Sequence, residues 1–459
     1  MDSKLGFDLG WFISNRAQGI FPCSLGHGIR QYFLRTIASQ TSGKTSPAAV
    51  LLGDSVKVDG VTYPTDSLTN ISPRVLSKVG QNLHREHGNP LYLIRKRIEN
   101  YFYKNFVNRR GNPIFSIYDN ISPVVTLEQN FDSLLVPEAH VSRAPSESYY
   151  INSDYMLRAH TSAHQRDLIR SGLNAFLVIG DVYRRDAIDA THYPVFHQVE
   201  GVRLFSQNEL FTKVRDSTNL SIFETEGKRM PDKQEDHSME AAKLLEHSLK
   251  NTLMGLALHL FGRDTEARWV DAYFPFTHPS WELEIKHQGE WLEVLGCGVV
   301  EQKILQSAGI QDQVGWAFGL GLERLAMKLY SIPDIRLFWS KDSGFLSQFD
   351  VSDPDTPIRY KPISVYPQCI NDISFWLPAS TDTAFCVNDF YELVRNIGGD
   401  LVEQVYLIDE FFHPKKQRAS HCYRIVYRHL ERTLTQEEVN VIHAKIEEEA
   451  KRLFRVEVR

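Results

Sequence analysis

The stretch VYRRDAIDATHYPVFHQVEG, residues 182–201, decides how this chain is read. An apolar run that begins at Ala175 ends here in two arginines and an aspartate. A short polar loop follows, and then Phe196, Gln198 and Glu200 recur at every second position. Side chains alternate across a strand, so Arg184 and Asp186 share one face while Arg185 points away. Phe196, Gln198 and Glu200 share a face of the returning strand in the same way. Such a hairpin presents a guanidinium, an aromatic ring and two polar groups on one sheet surface. Arginine suits bidentate phosphate recognition and stays charged. Phenylalanine can stack on a base, glutamate can pair with an ammonium, and glutamine can orient it. Together they would hold a nucleotide beside an amino acid. A surface hairpin with an Arg–Asp ion pair and a core phenylalanine would carry the same residues.

Working outward, residues 89–107 space Leu91, Ile94, Ile98, Phe102 and Phe106 as one long helix, and 237–261 reads as a second, ended by Gly262. The segments 175–186 and 194–205 read as strands, as do 268–275, 281–286 and 291–300. Residues 315–330 pass from a strand through glycines into a helix. The stretch 331–365 is rich in Asp, Ser and Pro and reads as a linker. Beyond it, strand 370–378, helix 388–398, strands 401–412 and 420–429, helix 435–454 and a short last strand give the ferredoxin-like βαββαβ order. No repeat or low-complexity tract is evident.

The bulk composition sets outer bounds. The 459 residues are 42% hydrophobic and 24% charged, enough for two or three domains at roughly 150 residues each. A net charge of −6 excludes a histone-like cationic protein but leaves room for local basic patches facing nucleic acid. Cys23, Cys297, Cys369, Cys386 and Cys422 lie far apart, which argues against disulfides and a zinc site and for a reducing compartment. His160 and His164 lie four apart but lack a third ligand, so no zinc is expected. The longest apolar runs are too short to span a bilayer, and no membrane role is expected.

Between Asp8 and Asp54 there is no acidic residue, while Arg16, Arg30, Arg35 and Lys44 fall among Ser, Thr and apolar residues. That composition suits a basic amphipathic helix in a mitochondrial transit peptide. A disordered tail that lacks acids is the alternative.

The second chemical element is GLGLER, Gly319 to Arg324. Glycines at a strand-to-helix junction let a ligand approach the backbone, and Arg324 emerges at the helix start. The Walker and Rossmann patterns are both absent. An Arg-x-Asp hairpin followed by this strand–helix resembles motifs two and three of the class II aminoacyl-tRNA synthetases, with motif one over 89–107 and the extended segment through Pro123. RAHTSAHQ (158–165), the hairpin itself, YFPFTHPS (273–280), EWLEVLGCG (290–298) and WAFGLGLERLAM (316–327) are similar to the catalytic module of phenylalanyl-tRNA synthetase over roughly residues 84–330. The ferredoxin-like unit that follows resembles the anticodon-binding domain of the single-chain mitochondrial form, which implies a monomer in the mitochondrial matrix.

The resemblance implies an α+β fold: a class II antiparallel-sheet catalytic domain flanked by helices, plus the C-terminal ferredoxin-like domain. The expected divisions are 1–45 transit peptide or disordered, 46–330 catalytic, 331–365 linker and 366–459 anticodon-binding. It implies charging of tRNA(Phe) with L-phenylalanine by way of an adenylate, using ATP with Mg²⁺. Arg184 would grip the α-phosphate and Arg324 the γ-phosphate with bridging Mg²⁺. Phe196 would stack on adenine, with His192 near the phosphates and Asp186, Thr191, Tyr193, Gly319 and Gly321 completing the ATP set. Glu200 and Gln198 would hold the phenylalanine ammonium, helped by His160, Ser162 and Gln165. Phe274, Phe276, Ala317 and Phe318 would form the ring pocket, with Ala163, His164 and Val199 beside the amino acid. Glu293 would face substrate or metal, since protein ligands to Mg²⁺ are not fixed by the pattern. Lys415, Lys416 and Arg418 in the basic turn HPKKQR are candidates to face tRNA, although any solvated hairpin could look the same.

Two departures stand out: the class more often has Glu at Asp186, and the bacterial enzyme has Thr at Ala159. A related synthetase of another specificity would also fit the motifs. A non-enzymatic paralogue usually loses a motif arginine, and both are present here.

Overall fold

The computed structural model describes residues 49–215, 219–362, 366–378, 385–414 and 417–459. The segment read as a transit peptide, and Lys415 and Lys416, lie outside the described residues. Three strands, Ala49–Leu52 (β1), Ser55–Val58 (β2) and Val61–Pro64 (β3), form a small antiparallel sheet. The helix Pro90–Asn105 (α1) follows, with the Asn89 side chain accepting from the Leu91 amide and Pro90 in its first turn.

Seven strands make the central sheet. In chain order they are Ser116–Tyr118 (β4), then, after the small pair Val124–Thr126 (β5) and Tyr155–Leu157 (β6), Ala175–Tyr183 (β7) and Val195–Ser206 (β8). The helix Met239–Phe261 (α2), capped by Ser238, leads to Ala267–Phe274 (β9), Thr277–His287 (β10), Glu290–Val300 (β11) and Gln313–Gly321 (β12). The sheet order is β4-β7-β8-β12-β11-β10-β9, antiparallel except for the β4–β7 pair. The helix Leu322–Tyr330 (α3) continues directly from β12.

Both faces of this sheet are covered, which is why β7 reads as a continuous apolar run. On one face Leu177, Ile179, Val199, Leu295, Trp316 and Phe318 pack beneath α1, α2 and α3. On the other, Phe176, Val178, Val202 and Ala317 pack with Ala159, Ala163 and Ile169. Alternation along each strand sorts the two sets, and burying each large side chain stabilises the fold by roughly 1.5–3 kcal/mol.

The expected linker is largely structured. Ile335–Trp339 forms a 3₁₀ turn and Ser343–Leu346 a helical turn. Phe338, Phe345 and Phe349 are fully buried in the core under the central sheet, so much of 331–365 belongs to the catalytic body rather than to a free connector. The polar composition hid these aromatics, which recur too irregularly to give a period.

The C-terminal unit runs Cys369–Trp376 (β13), Val387–Gly398 (α4), Val402–His413 (β14), Arg418–Tyr427 (β15), Gln436–Phe454 (α5) and Glu457–Val458 (β16). Its sheet order β14-β15-β13-β16 is that of a ferredoxin fold, with Ile373, Phe375, Tyr423 and Ile425 turned toward the helices. A capping box of Thr435 and Glu438 starts α5.

This unit docks on the 184–193 hairpin loop. Ile188 sits in its core, and the Val405 amide donates to the Ile188 carbonyl at 2.9 Å. Arg395 donates to the Asp186 carbonyl at 2.6 Å, and Arg185 pairs with Asp389 at 3.0 Å.

Candidate active site

β7 and β8 pair in antiparallel register, with Gly180 opposite Gln198 and Val178 opposite Glu200. β8 then pairs with β12, bringing Glu200 opposite Gly319 and Gln198 opposite Gly321, and Gly319 in turn faces Gly296 on β11. A row of one carboxylate and two glycines thus crosses three strands. A methyl group on Gly319 or Gly321 would meet nothing within 4 Å, so the sheet floor is open there.

Above this floor lies a cavity of about 660 Å³ lined by Arg184, His192, Phe196, Gln198, Glu293 and Arg324. Asp186, Thr191, Tyr193, Gly319 and Gly321 also border it. Residues more than a hundred positions apart, from the hairpin and from GLGLER, meet at one place. The Arg184 guanidinium lies over the Phe196 ring at 4.9 Å, and its Nε donates to the Ala159 carbonyl at 2.8 Å. Burial lowers its pKa to about 10, Asp186 opposing and the Arg324 charge adding to the effect. Two cations that disfavour each other across a cavity suit a polyanion. Arg324 contacts Glu293 at 3.5 Å, and burial pushes the Glu293 carboxyl up to about 7 despite that arginine. His192 Nδ1 lies 2.6 Å from Asp189, whose hydrogen bond raises the imidazole pKa; Thr191 donates to the same carboxylate.

Beneath the cavity the polar residues are buried. The amide group of Gln165 has no hydrogen-bond partner among the described residues. Burial pushes the Glu200 carboxyl up to about 8, with the Ser162 hydroxyl pulling it the other way. Burial and the Arg184 charge lower His160 to about 3, so its ring is neutral, and it stacks near Phe276 with centroids 6.4 Å apart. The Phe274 and Phe276 rings lie parallel at 6.0 Å, and Phe274 fills the space that a side chain at Gly296 would need. Ala317 is on this same face of the sheet.

Several expected residues are placed elsewhere. Val199 and Phe318 alternate to the opposite face; Phe318 stacks on Phe102 of α1 at 5.6 Å, in the core. They cannot line an amino-acid pocket, because strict alternation sets them across the sheet from Gln198, Glu200 and Ala317. Ala163 is packed among Phe176, Val178 and Val202, and His164 Nε2 is 2.9 Å from the buried Arg158 guanidinium. Tyr193 borders the cavity, as expected, while its ring stacks on Trp339 and its hydroxyl donates to Asp400. Arg418 donates to the Leu377 carbonyl and pairs with Glu457 at 2.9 Å, so its guanidinium is engaged within its own domain. Glu147, from a loop without periodicity, also borders the cavity, and no pattern in the sequence marked it. Among the described residues no group of three or more His, Cys, Asp or Glu is placed to hold a metal ion, and no helix is long and apolar enough to cross a membrane.

Residues 80–215 and 238–349 match the family described as tRNA synthetases class II core domain (F), and residues 364–459 match the ferredoxin-fold anticodon binding domain. The chain is 57% identical over 433 residues to the mitochondrial phenylalanine–tRNA ligase of Mus musculus, covering 94% of both chains. The chain belongs to the phenylalanine–tRNA ligases. To the probable mitochondrial phenylalanine–tRNA ligase of Drosophila melanogaster, it is 53% identical over 442 residues, 93% of this chain and 96% of that one. The phenylalanine–tRNA ligase alpha subunit of Vibrio campbellii is 34% identical over 275 residues, which are 59% of this chain and 70% of that one. The bacterial likeness thus spans a smaller part of the chain than the mitochondrial ones.

Proposed function

We propose that the cavity takes ATP with its Mg²⁺ as substrate, Arg184 gripping the α-phosphate, Arg324 the γ-phosphate and Phe196 stacking on adenine. Phenylalanine lies deeper, its ammonium on Glu200 and Gln198 with His160, Ser162 and Gln165 around it, and its ring against Phe274, Phe276 and Ala317. The chain itself charges tRNA(Phe) with phenylalanine, as its family does, and works in mitochondria. The convergence of Arg184, Arg324 and Phe196 on one cavity is the observation that carries the site reading.

The phenylalanine carboxylate is already ionised at neutral pH, so attack on the α-phosphorus needs no general base. An O–P bond forms, the bond to the departing pyrophosphate breaks, and the negative charge on the phosphates grows least costly between two arginines. Arg184 orients the α-phosphate for in-line attack, and Arg324 steadies the leaving pyrophosphate. Mg²⁺ carried by ATP would supply further charge neutralisation at the phosphates, and Glu293, beside Arg324 at the cavity wall, would face it in its ionised form. A ribose hydroxyl at the tRNA 3′ end then displaces AMP from the adenylate. The ferredoxin-fold domain faces the anticodon, with Lys415 and Lys416 the cations proposed to meet phosphate there.

We further propose that one chain suffices for activity, and that the acid-free stretch between Asp8 and Asp54 directs import. Light scattering that returns the mass of one chain supports the first, and import with cleavage in isolated mitochondria supports the second. The site reading is tested by ATP–pyrophosphate exchange with each of the twenty amino acids. Exchange with phenylalanine that falls by roughly a hundredfold or more in Arg184→Ala and in Arg324→Ala supports it; exchange near the unsubstituted rate in either variant overturns the roles assigned.

A further inference from the structure

Glu323 directly precedes Arg324 and borders the same cavity, yet its carboxylate is engaged by His197 and is only 4% exposed. The β8–β12 ladder ends at the pair Gln198–Gly321, because the chain enters α3 at Leu322. The next amide on β8, that of His197, therefore has no main-chain acceptor on that side. Glu323 replaces it: Oε2 accepts from the His197 backbone amide at 2.8 Å, and Oε1 lies 2.7 Å from His197 Nδ1. A carboxylate offers only acceptors, so Nδ1 carries the proton of this contact. The His197 ring is fully buried against the His84 and Trp339 rings, at 5.2 and 6.2 Å.

The two ends of this contact sit beside the two ends of the cavity. His197 lies between Phe196 and Gln198, whose side chains point to the cavity, while Glu323 is adjacent in the chain to Arg324. The helix start has no side-chain cap, since Gly321 occupies the N-cap, and Leu322, Leu325 and Ala326 bury its apolar face. The bidentate contact adds a polar fixed point where the helix begins, because both oxygens are held by one residue. Buried, doubly bonded groups of this kind hold distances that surface contacts do not.

We propose that Glu323, acting through His197, is a positioning residue that fixes the span from Arg324 to Phe196, so that both ends of a bound nucleoside triphosphate are gripped in one geometry. The proposal rests on the reading of the cavity as the ATP site. It gives the acidic residue of GLGLER a task different from that of its arginine neighbour.

The test uses the full chain in pyrophosphate exchange, with KM measured separately for ATP and for phenylalanine. Glu323→Gln keeps the shape and an acceptor for the His197 amide but weakens both bonds. It raises KM for ATP by about fivefold to tenfold and leaves KM for phenylalanine within about twofold, since displacement of a gripping group costs on this scale. Glu323→Ala, if it folds with an unchanged circular dichroism spectrum, raises KM for ATP further and lowers kcat. An unchanged KM for ATP in Glu323→Gln overturns the proposal, as does an equal rise in both KM values, which a merely structural role would produce. Calorimetric titration of the unsubstituted protein with MgATP separates the two levels: absence of binding there overturns the ATP reading itself, and the positioning role with it.

Discussion

Glu200 stands in register with Gly319 across the β8–β12 ladder, a buried carboxylate facing a residue with no side chain. The pairing reserves space. Had any larger residue occupied position 319, its Cβ would project into the open floor beside Glu200, where nothing lies within 4 Å. A neighbouring glycine has the opposite surroundings: a Cβ on Gly201 would lie 2.1 Å from the Phe318 ring, on the packed face. Glycine serves ligand access at one position and core packing at the other.

These surroundings predict opposite phenotypes for one substitution. Gly319→Ala leaves the melting temperature unchanged within error but lowers kcat/KM for activation by about tenfold or more, because the methyl occupies substrate space. Gly201→Ala overpacks the core and costs about 1–3 kcal/mol of stability, read by urea denaturation. Equal loss of stability in both variants would contradict the assignment of faces.

The buried carboxyl makes a pH prediction. Burial pushes the Glu200 carboxyl up to about 8 in the folded protein, against its ordinary value of 4.5 in the unfolded chain. Its folded pKa is the higher one, so its relative contribution to stability is fully present below about 4.5 and is lost as pH rises toward 8. Isosteric Glu200→Gln therefore raises the melting temperature at pH 8.5 and gives no comparable gain at pH 5. The same variant weakens phenylalanine binding. In the unsubstituted protein, affinity for phenylalanine rises between pH 6 and 8 as the carboxylate forms, and this slope vanishes in Glu200→Gln.

Arg184 and Arg324 carry graded expectations. Each alanine substitution lowers the rate of pyrophosphate exchange by roughly a hundredfold to a thousandfold, the scale for removing one preorganised donor from a developing charge. Arg324→Lys retains the charge but not the planar fork, and recovers only part of the loss. Full activity in Arg324→Lys would mean that charge alone matters at that end.

The docked C-terminal domain offers a separate test. Arg185 and Asp389 are both buried, at 1% and 6% side-chain exposure. Arg185→Ala leaves Asp389 buried beside Glu392 without its cation and costs roughly 3–5 kcal/mol. The pair Arg185→Met with Asp389→Leu restores much of that stability, because it removes both charges together. Thermal unfolding of the single and double variants gives the coupling directly.

Much of the catalytic body could be read along the chain. The alternation in 194–205 places Phe196, Gln198 and Glu200 together, and β8 shows that grouping. The helices α1 and α2 fall within two residues of their periodic stretches, since Asn89 and Ser238 supply N-caps where the apolar spacing begins. The ferredoxin order is equally plain, because strand and helix stretches follow one another in the βαββαβ order with turns between them. Alternation says which side chains share a face, but not which face meets the ligand when both are buried. Val199 and Phe318, assigned to the pocket by resemblance, belong to the packed side for that reason. The aromatics of 331–365 escaped because Asp, Ser and Pro dominate their surroundings, while burial responds to the neighbours that folding supplies.

What the amino-acid sequence determined by itself was local: strands with one polar stripe, capped helices, glycines at the strand–helix junction, and two arginines each at the end of an apolar run. Those features depend on sterics and on hydrogen bonds between residues close in the chain, so they survive without knowledge of the rest. Only the tertiary structure decided that Arg184 and Arg324 share a cavity, that Glu323 completes the ladder at His197, and that Ile188 anchors the hairpin loop in the second domain. These relations join residues more than a hundred positions apart. No local preference encodes such distances; they follow from the sheet register and from the burial of surfaces that meet only when the whole core closes.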